Sequence, residues 1–304
     1  MPSLEVVKVA NADYKPDYIP VMVITGSTFG IGQKIVEIFA KYTIGRAHIV
    51  LVGRNEAAAN EIISGLPPAA DGCTYEFLPC DLRLMKNVRE LAKVLRDRLP
   101  KINFLIHSAG VASLEKRVET EEGIDEKMAI RYYCRFALTY ELLPLLRKAK
   151  DLGEQVGVLA ILGAGLSKPL LMDDLGLKKG HTGMKSMQQT VTYNDLMIGE
   201  FARREEGIAF VHAHPGFVDT FAPKPLYQKV LNIAFRPLIW LLFTTPDISA
   251  EHMLYALLDS KPGMSLRNRY GDDVGKKNYP TAEGAQEAMW AHSVKETGVV
   301  EDNL

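Results

Sequence analysis

The chain has 304 residues, of which 47% are hydrophobic and 24% charged, and its formal net charge is -1. This composition is typical of a folded globular protein, and without a basic excess we expect no nucleic acid partner. Three cysteines are scattered through the chain, at positions 73, 80 and 134. Their spacing indicates neither a disulfide framework nor a metal site, and it favours a reducing compartment, the cytoplasm.

The N-terminal segment 1–18 contains acidic residues and no sustained apolar run, so it is not typical of a secretory signal. We interpret it as an extension before a single domain that covers 19–304. The most apolar later segment, 230–243, is interrupted by Asn232, Arg236 and Pro237 and is shorter than the roughly 20 residues that span a bilayer. We therefore predict no membrane span, and we expect the region near 221–243 to cover the substrate.

Apolar strand-like runs alternate with longer segments of helical periodicity. The predicted strands are 22–25, 48–52, 75–78, 104–107, 158–162 and 209–213. The predicted helices are 31–42, 56–64, 85–99, 124–148 and 186–205. This alternation predicts an α/β protein with a doubly wound parallel sheet. In that architecture a ligand binds beyond the carboxyl ends of the strands, so we expect the site residues to follow the strands.

The first strand runs into a glycine-rich turn, and residues 21–32 read V-M-V-I-T-G-S-T-F-G-I-G. Glycines there allow a sharp turn and let a pyrophosphate approach main-chain N–H groups at a helix N-terminus. An ordinary strand-to-helix connection is the alternative. The dinucleotide interpretation gives as candidate contacts Thr25, Gly26, Ser27, Thr28, Gly30, Ile31 and Gly32.

The second strand ends in V-G-R-N, which places Arg54 and Asn55 where a dinucleotide enzyme contacts the adenosine ribose. An acid there would accept a hydrogen bond from a free 2′-hydroxyl, whereas a guanidinium suits a 2′-phosphate. The residue type therefore favours NADP(H) over NAD(H). A solvated surface arginine is the alternative.

The next two strand ends read P-C-D-L and I-H-S-A-G. Asp81, followed by Leu82, offers a carboxylate to an adenine amino group, although it could instead cap the helix that follows. Small residues after the fourth strand leave room for the cofactor. They are Ser108, Ala109 and Gly110.

The segments T-G-S-T-F-G-I-G, C-D-L, H-S-A-G and H-P-G-F-V-D-T occur in this order, and together they resemble the pattern of the short-chain dehydrogenase/reductase family. The resemblance implies a single Rossmann-like domain. It also implies that the last segment packs on the nicotinamide. The residues carried over are Pro215, Gly216, Val218 and Thr220.

The same resemblance implies a catalytic set of Asn, Ser, Tyr and Lys, and this chain lacks all four. By position their places are taken by Arg131, Gly163, Gly183 and Met187, respectively. Without a proton donor, ketone reduction should be slow, whereas a cationic iminium carbon accepts hydride unaided. The pattern therefore favours reduction of C=N over C=O.

Other candidates for catalysis lie nearby. His181 and Lys185 are four residues apart and could replace the Tyr and Lys if the helix starts irregularly. Arg131 could orient a substrate carbonyl; alternatively, Arg131 or Arg135 pairs with Asp173 or Asp174. Those two aspartates are also candidate active-site acids.

The segments R-Y-Y-C-R-F, D-D-L-G-L, F-V-H-A-H-P-G and W-A-H-S resemble a fungal branch of the family used in secondary metabolism. Within that branch the missing catalytic set is similar to that of the reductase and Diels-Alderase group of prenylated indole alkaloid biosynthesis. This resemblance implies a small hydrophobic substrate, an indole alkaloid intermediate, and NADPH reduction of a cyclic iminium followed by an intramolecular cycloaddition.

Two other functions stay open from the sequence. The chain could be a conventional NADPH-dependent ketone or aldehyde reductase, or a non-catalytic NADP-binding scaffold. The family resemblance also implies a homo-oligomer that pairs through helices 124–148 and 186–205.

Overall fold

A computed structural model describes residues 1–111, 113–219 and 243–300. Within them, seven parallel strands form one sheet in the order β3-β2-β1-β4-β5-β6-β7. The strands are β1 (Val21–Thr25), β2 (His48–Gly53), β3 (Tyr75–Pro79), β4 (Phe104–His107), β5 (Gly157–Ile161), β6 (Ala209–Ala213) and β7 (Gly263–Arg267). The predicted doubly wound sheet is confirmed, and the reversal of strand order between β1 and β4 opens a crevice for a ligand.

Helices cover both faces of this sheet. They are α1 (Leu4–Ala12), α2 (Gly30–Tyr42), α3 (Glu56–Gly65), α4 (Met85–Arg98), α5 (Glu126–Met128), α6 (Cys134–Asp151), α7 (Gly183–Arg204), α8 (Pro246–Leu258) and α9 (Ala285–Thr297). A π-helical turn, Ala129–Tyr133, joins α5 to α6. Among the described helices, none has the length and hydropathy needed to cross a membrane.

The strands are apolar on both faces because two separate cores flank the sheet. Val23 and Val50 point into the core shared with α4, α6, α7 and α9. Ile24 and Leu51 point into the opposite core, which α2, α3 and α8 complete. Alternate residues of each strand therefore enter different cores, which explains why the sequence shows continuous apolar runs there.

The structure departs from the predicted elements in three ways. The predicted helix 124–148 is divided into α5, the π turn and α6. Strand β7 and helices α8 and α9 were not among the predicted elements. Residues 1–18 contain α1, whose buried Asn11 donates to the carbonyl and carboxylate oxygens of Glu251 on α8 at 2.9 and 2.8 Å. The extension therefore packs onto the domain.

The C-terminal helix α9 lies against α6 and α7. Trp290 packs edge-on against Phe136 of α6 and Phe201 of α7, with ring centroids 5.1 Å away in both cases. The guanidinium of Arg204 lies 4.0 Å from the Trp290 ring centroid. This helix thus covers part of the two helices that were expected to pair between subunits.

Candidate functional site

The glycine-rich turn after β1 packs tightly against the end of β4. Gly26 has a φ of 71°, and a Cβ there would lie 2.5 Å from the backbone nitrogen of Ala109. A Cβ on Gly32 would lie 2.3 Å from the carbonyl oxygen of Gly26. Ser27 is buried and donates its hydroxyl to the carbonyl of Val52 at 3.3 Å. Only glycine fits at positions 26 and 32, so the turn is held close to the sheet.

Helix α2 begins at this turn without a side-chain cap. Its N-cap residue is Phe29, which makes no capping hydrogen bond, and its first turn contains no acidic residue. The first N–H groups of the helix therefore stay available to an anion, and the helix dipole favours a negative charge there. This arrangement fits the pyrophosphate of a dinucleotide.

The remaining residues of the turn are supporting contacts. Thr25 is fully buried and its hydroxyl donates to Ile106 O at 3.4 Å. Thr28 lies beside Gly53, where an added Cβ would be 3.3 Å from Thr28 Cγ2. Gly30 and Ile31 start α2. These residues hold the turn between β1, β2 and β4.

Arg54 is exposed at the end of β2 and makes no hydrogen bond or ion pair within the described part of the chain. Its positive charge is close enough to Asp81 to contribute to lowering the pKa of that carboxyl group. Asn55 has a structural task, since its Oδ1 accepts from the Ala58 nitrogen at 3.1 Å and caps α3. Of the two residues, Arg54 has the side chain that can reach a ligand.

Asp81 is engaged by its neighbour Arg83. The guanidinium of Arg83 donates to both carboxylate oxygens at 2.6 to 3.1 Å, and these hydrogen bonds hold the pKa of Asp81 below its usual range. The alternative role as a cap of α4 is wrong. Glu122 takes that role by accepting from the nitrogens of Met85 and Lys86 at 2.5 and 2.8 Å. Leu82 is buried.

The other candidate cofactor residues follow β4 and β6. The nitrogen of Ser108 donates to Thr25 O at 3.1 Å, which ties the ends of β1 and β4 together, and Gly110 is exposed beyond Ala109. After β6, Pro215 and Gly216 lead to Val218, which pairs with Thr244 as a parallel bridge. Thr220 and the segment 221–242 lie outside the described residues.

Arg131 lies in the π turn, and only 2% of its surface is exposed. Its Nε and Nη2 donate to Val111 O at 2.9 and 2.6 Å, and Nη2 also donates to Ser113 O at 3.0 Å. Nη1 is buried and has no hydrogen-bond partner among the described residues. Burial lowers the pKa of Arg131, and the charge of Asp125 opposes this. Pairing with Asp173 or Asp174 is therefore wrong.

Arg135 is likewise held by neutral oxygens. Its Nη2 donates to Ala109 O at 2.8 Å and to Ile161 O at 3.1 Å, and its Nη1 approaches Asn194 Oδ1 at 3.4 Å. Burial lowers its pKa to about 10. This guanidinium joins the carboxyl ends of β4 and β5, so it is a second cation beneath the site. No carboxylate contacts it within the described residues.

Asp173 and Asp174 lie in a short 3-10 turn, Met172–Asp174. The carboxylate of Asp174 accepts from the backbone nitrogens of Lys178, Lys179 and Gly180 at 2.8 to 3.2 Å. Partial burial raises the pKa of Asp174, but these three N–H groups outweigh it and lower the pKa. Asp173 is exposed. The contacts of Asp174 stabilise the local turn, and within the described part of the chain neither aspartate has a contact that supports a role as a catalytic acid.

His181 and Lys185 have different surroundings: the first side chain is buried and the second is exposed. The His181 side chain is buried, and its Nε2 lies 3.6 Å from Asp125 Oδ2 without a hydrogen-bond partner in the described chain. Burial lowers the pKa of His181 despite the nearby carboxylate. Lys185 is exposed in the first turn of α7, where its backbone nitrogen donates to Thr182 Oγ1 at 3.1 Å. Its Nζ lies near Gly180, where an added Cβ would be 3.3 Å away from it.

A profile described as short chain dehydrogenase matches residues 20–164. The oxidoreductase andH of Emericella variicolor is 30% identical over 277 residues, covering 89% of this chain and 80% of that protein. The chain belongs to the short-chain dehydrogenase family. Polyprenol dehydrogenase of Homo sapiens is 26% identical over 297 residues, covering 95% of this chain and 88% of its own.

Solved structures agree on the fold. An uncharacterized protein from Mycobacterium paratuberculosis superposes with a TM-score of 0.71 at 20% identity, over 95% of this chain and 97% of its own. NADPH-bound carbonyl reductase from chicken fatty liver gives a TM-score of 0.60 at 19% identity, over 85% of this chain and 99% of its own. At these identities the likeness shows the fold of the family.

In this short-chain dehydrogenase, neighbouring atoms occupy the space that a Ser or Tyr side chain would need at the positions that the family resemblance assigns to them. A Cβ on Gly183 would lie 2.0 Å from the carbonyl oxygen of Leu114, and a Cβ on Gly163 would lie 2.8 Å from Val191 Cγ2. Met187, at the Lys position, is 38% exposed. Neither glycine could be replaced by a larger residue without moving its neighbours. The surroundings of both positions therefore differ from a site that holds Ser and Tyr.

A buried polar network near Gly163 was missed from the sequence of this family member. Asp195 Oδ1 is 2.5 Å from His212 Nδ1, and Ser167 Oγ is 2.6 Å from Asp195 Oδ2. Because the Gly163 nitrogen donates to His212 Nε2 at 3.1 Å, the histidine proton must lie on Nδ1. The network holds the loop after β5. The sequence did contain a signal for this network, because Asp195 and His212 are polar residues inside the apolar segments of α7 and β6.

Proposed function

We propose that this protein is an NADP(H)-dependent oxidoreductase that reduces a C=N bond, as a cyclic imine or iminium, in a small hydrophobic substrate. The observation that carries the proposal is a combination. The glycine turn and uncapped α2 fit a dinucleotide, while backbone and aliphatic groups fill the places of the family's proton-transfer residues, at Gly163 and Gly183. The bound cofactor would supply the hydride.

Support for NADP(H) comes from Arg54 and from relatives of the fold. An exposed guanidinium without a partner in the described chain can bind the 2′-phosphate through charge-assisted hydrogen bonds. Carbonyl reductase from chicken fatty liver is described as NADPH bound, and RhlG of Pseudomonas aeruginosa as an NADP complex. Both are similar to this chain in fold.

The proposed preference for C=N over C=O follows from the groups available for proton donation in the described part of the site. Carbonyl reduction needs a proton delivered to oxygen as hydride reaches carbon, and a positioned acid contributes about 10²- to 10⁴-fold to such a step. Arg131 keeps its protons and is suited to donate a hydrogen bond. We propose that its Nη1, which has no partner among the described residues, donates to an acceptor oxygen of the substrate. A cationic carbon must then lie away from this guanidinium.

The first experiment follows the label from NADPH deuterated at the transferable position, with matched cyclic iminium and ketone substrates. Deuterium in the amine product, and a ketone rate lower by at least about tenfold, is the expected result. Deuterium in an alcohol at a comparable rate would overturn the proposal. Tight NADPH binding with no label transfer to any substrate would favour a non-catalytic scaffold instead.

A conventional ketone or aldehyde reductase would require His181 and Lys185 to act together. Their surroundings oppose this, because the His181 side chain is buried beside Asp125 while Lys185 is exposed. Lys185→Ala should leave turnover unchanged within about twofold, as is usual for an exposed side chain. Loss of turnover in that variant, with NADPH binding retained, would establish the conventional reductase.

The proposal extends to a cycloaddition of the reduced indole alkaloid, and this step rests on the resemblance alone. The segment 221–242, which would cover the substrate, lies outside the described residues. A mass-neutral rearrangement of the amine product that requires bound cofactor is the expected observation, and a single uncyclised product would remove this step. We also propose a cytoplasmic location, which the free thiols of Cys73, Cys80 and Cys134 support.

A further inference from the structure

The π turn that carries Arg131 interrupts the regular hydrogen bonding of the helix. The nitrogen of Cys134 donates to Ala129 O, five residues earlier. The carbonyl of Arg131 accepts from Asn194 Nδ2 on α7 at 2.9 Å. Such turns are rare and frequently lie at functional sites. A turn of this kind persists only where neighbouring groups hold it.

Two hydroxyl groups beside Arg131 connect the π turn to the C-terminal helix α9. Tyr132 and Tyr133 are each 1% exposed, and their rings pack edge-on with centroids 5.2 Å apart. The Tyr132 hydroxyl lies 2.6 Å from Ser293 Oγ, and the Tyr133 hydroxyl lies 2.7 Å from His292 Nε2. Consecutive residues of the turn are thus bonded to consecutive residues of α9.

The direction of one of these bonds is fixed by chemistry. Ser293 Oγ donates its single proton to Met289 O at 2.6 Å. It must therefore accept from the Tyr132 hydroxyl. Tyr132 and Ser293 are both buried, so removing either hydroxyl would leave the other without its partner, away from water.

We propose that Ser293 and His292 are positioning residues, which act through Tyr132 and Tyr133 to fix the π turn and hence the direction of the Arg131 guanidinium. Return to a regular helix would shift the register by one residue, which corresponds to about 100° of rotation. The Arg131 side chain would then leave the carbonyl groups of Val111 and Ser113. This inference rests on the proposed contact between Arg131 and substrate.

The first test needs no substrate. Phenylglyoxal modifies accessible arginine side chains, and peptide mass spectrometry can follow Arg131 separately from the exposed Arg54. In the wild type, Arg131 should react slowly, because hydrogen bonds to two backbone carbonyls hold its Nε and Nη2. In the Tyr132→Phe/Tyr133→Phe double variant its modification rate should rise at least about tenfold. The control Tyr42→Phe loses a comparable 2.6 Å hydrogen bond, to Glu251, on the opposite face of the sheet, and should stay protected.

Unchanged protection of Arg131 in the double variant would overturn the inference, and so would equal loss of protection in Tyr42→Phe. The first result would mean that α9 does not hold the arginine, and the second that loss of any hydrogen-bonded tyrosine hydroxyl has the same effect. Neither result depends on turnover. Failure of the inference is therefore distinguishable from failure of the proposed function.

The second test is a double-mutant cycle on imine reduction. His292→Leu should lower kcat/KM about tenfold in the wild type, and it should have little further effect in an Arg131→Ala background. His292→Gln keeps a polar group for the Tyr133 hydroxyl and should restore most of the activity. NADPH affinity should stay within about twofold throughout. Additive losses in the two backgrounds, or no rescue by His292→Gln, would overturn the inference.

Discussion

Replacing Arg54 with alanine should separate the two nicotinamide dinucleotides. The side chain is exposed and has no partner within the described chain, so its removal should change the free energy of unfolding by less than about 0.5 kcal/mol. A hydrogen bond to a charged group contributes about 1.5 to 3 kcal/mol. At about 1.4 kcal/mol per tenfold, NADPH should bind roughly 10- to 150-fold more weakly, and NADH within about twofold of the wild type.

Isothermal titration calorimetry with both dinucleotides measures this difference directly. Arg54→Lys keeps the charge but loses the planar fork, so its NADPH affinity should fall between the wild type and Arg54→Ala. Arg98→Ala removes another exposed arginine, at the end of α4, which pairs with Glu76 of β3; as the control it should bind both dinucleotides normally. Equal losses of NADPH and NADH affinity in Arg54→Ala would refute the assignment of the 2′-phosphate contact.

Gly32→Ala should lower the free energy of unfolding by about 1–3 kcal/mol and weaken NADPH binding, because its Cβ would lie 2.3 Å from a backbone oxygen. The control is Gly65→Ala, which has open space around it and should leave the thermal midpoint unchanged or higher. Gly183→Tyr should lower the thermal midpoint without producing ketone reduction, since the Leu114 carbonyl already occupies that position; a ketone reductase from this single change would contradict the argument. Burial lowers the pKa of His107 well below 6.5, so the unfolded chain takes up a proton below that pH and the folded chain does not. Stability in urea should therefore fall as pH falls below 6.5, by up to about 1.4 kcal/mol per pH unit, and His107→Gln should reduce this slope. The expected homo-oligomer should appear in light scattering as a multiple of 33.8 kDa; a single-chain mass would reject it.

The fold was accessible from the sequence because its signals are local. Six of the strands in the described sheet coincide with predicted segments to within one residue at each end. Strand β7, M-S-L-R after Gly263, was missed because it is short and half of its pattern is polar. Helix α8 was missed because both of its sides are buried, so its sequence lacks an amphipathic period.

The positions of the candidate cofactor residues could also be predicted from the sequence, since they lie at or just after the ends of strands. The parallel sheet brings Gly26, Arg54, Asp81 and Ala109 to one edge, as their positions after β1 to β4 predicted. The contacts of Asn55 and Asp81 were less accessible. Whether a polar side chain caps a helix or faces a ligand depends on a neighbour such as Arg83, which spacing does not reveal.

By itself, the sequence determined that this protein has a parallel sheet and a glycine-rich turn after its first strand, because strand periodicity and the order of residue types are local properties. Only the tertiary structure decided what Arg131 contacts. Its partner Val111 lies 20 residues away, and Ser293, in the helix that steadies the turn, lies 161 residues from Tyr132. Hydrogen bonds between distant segments form only when the chain has folded around both cores, so no local pattern in the sequence could have predicted them.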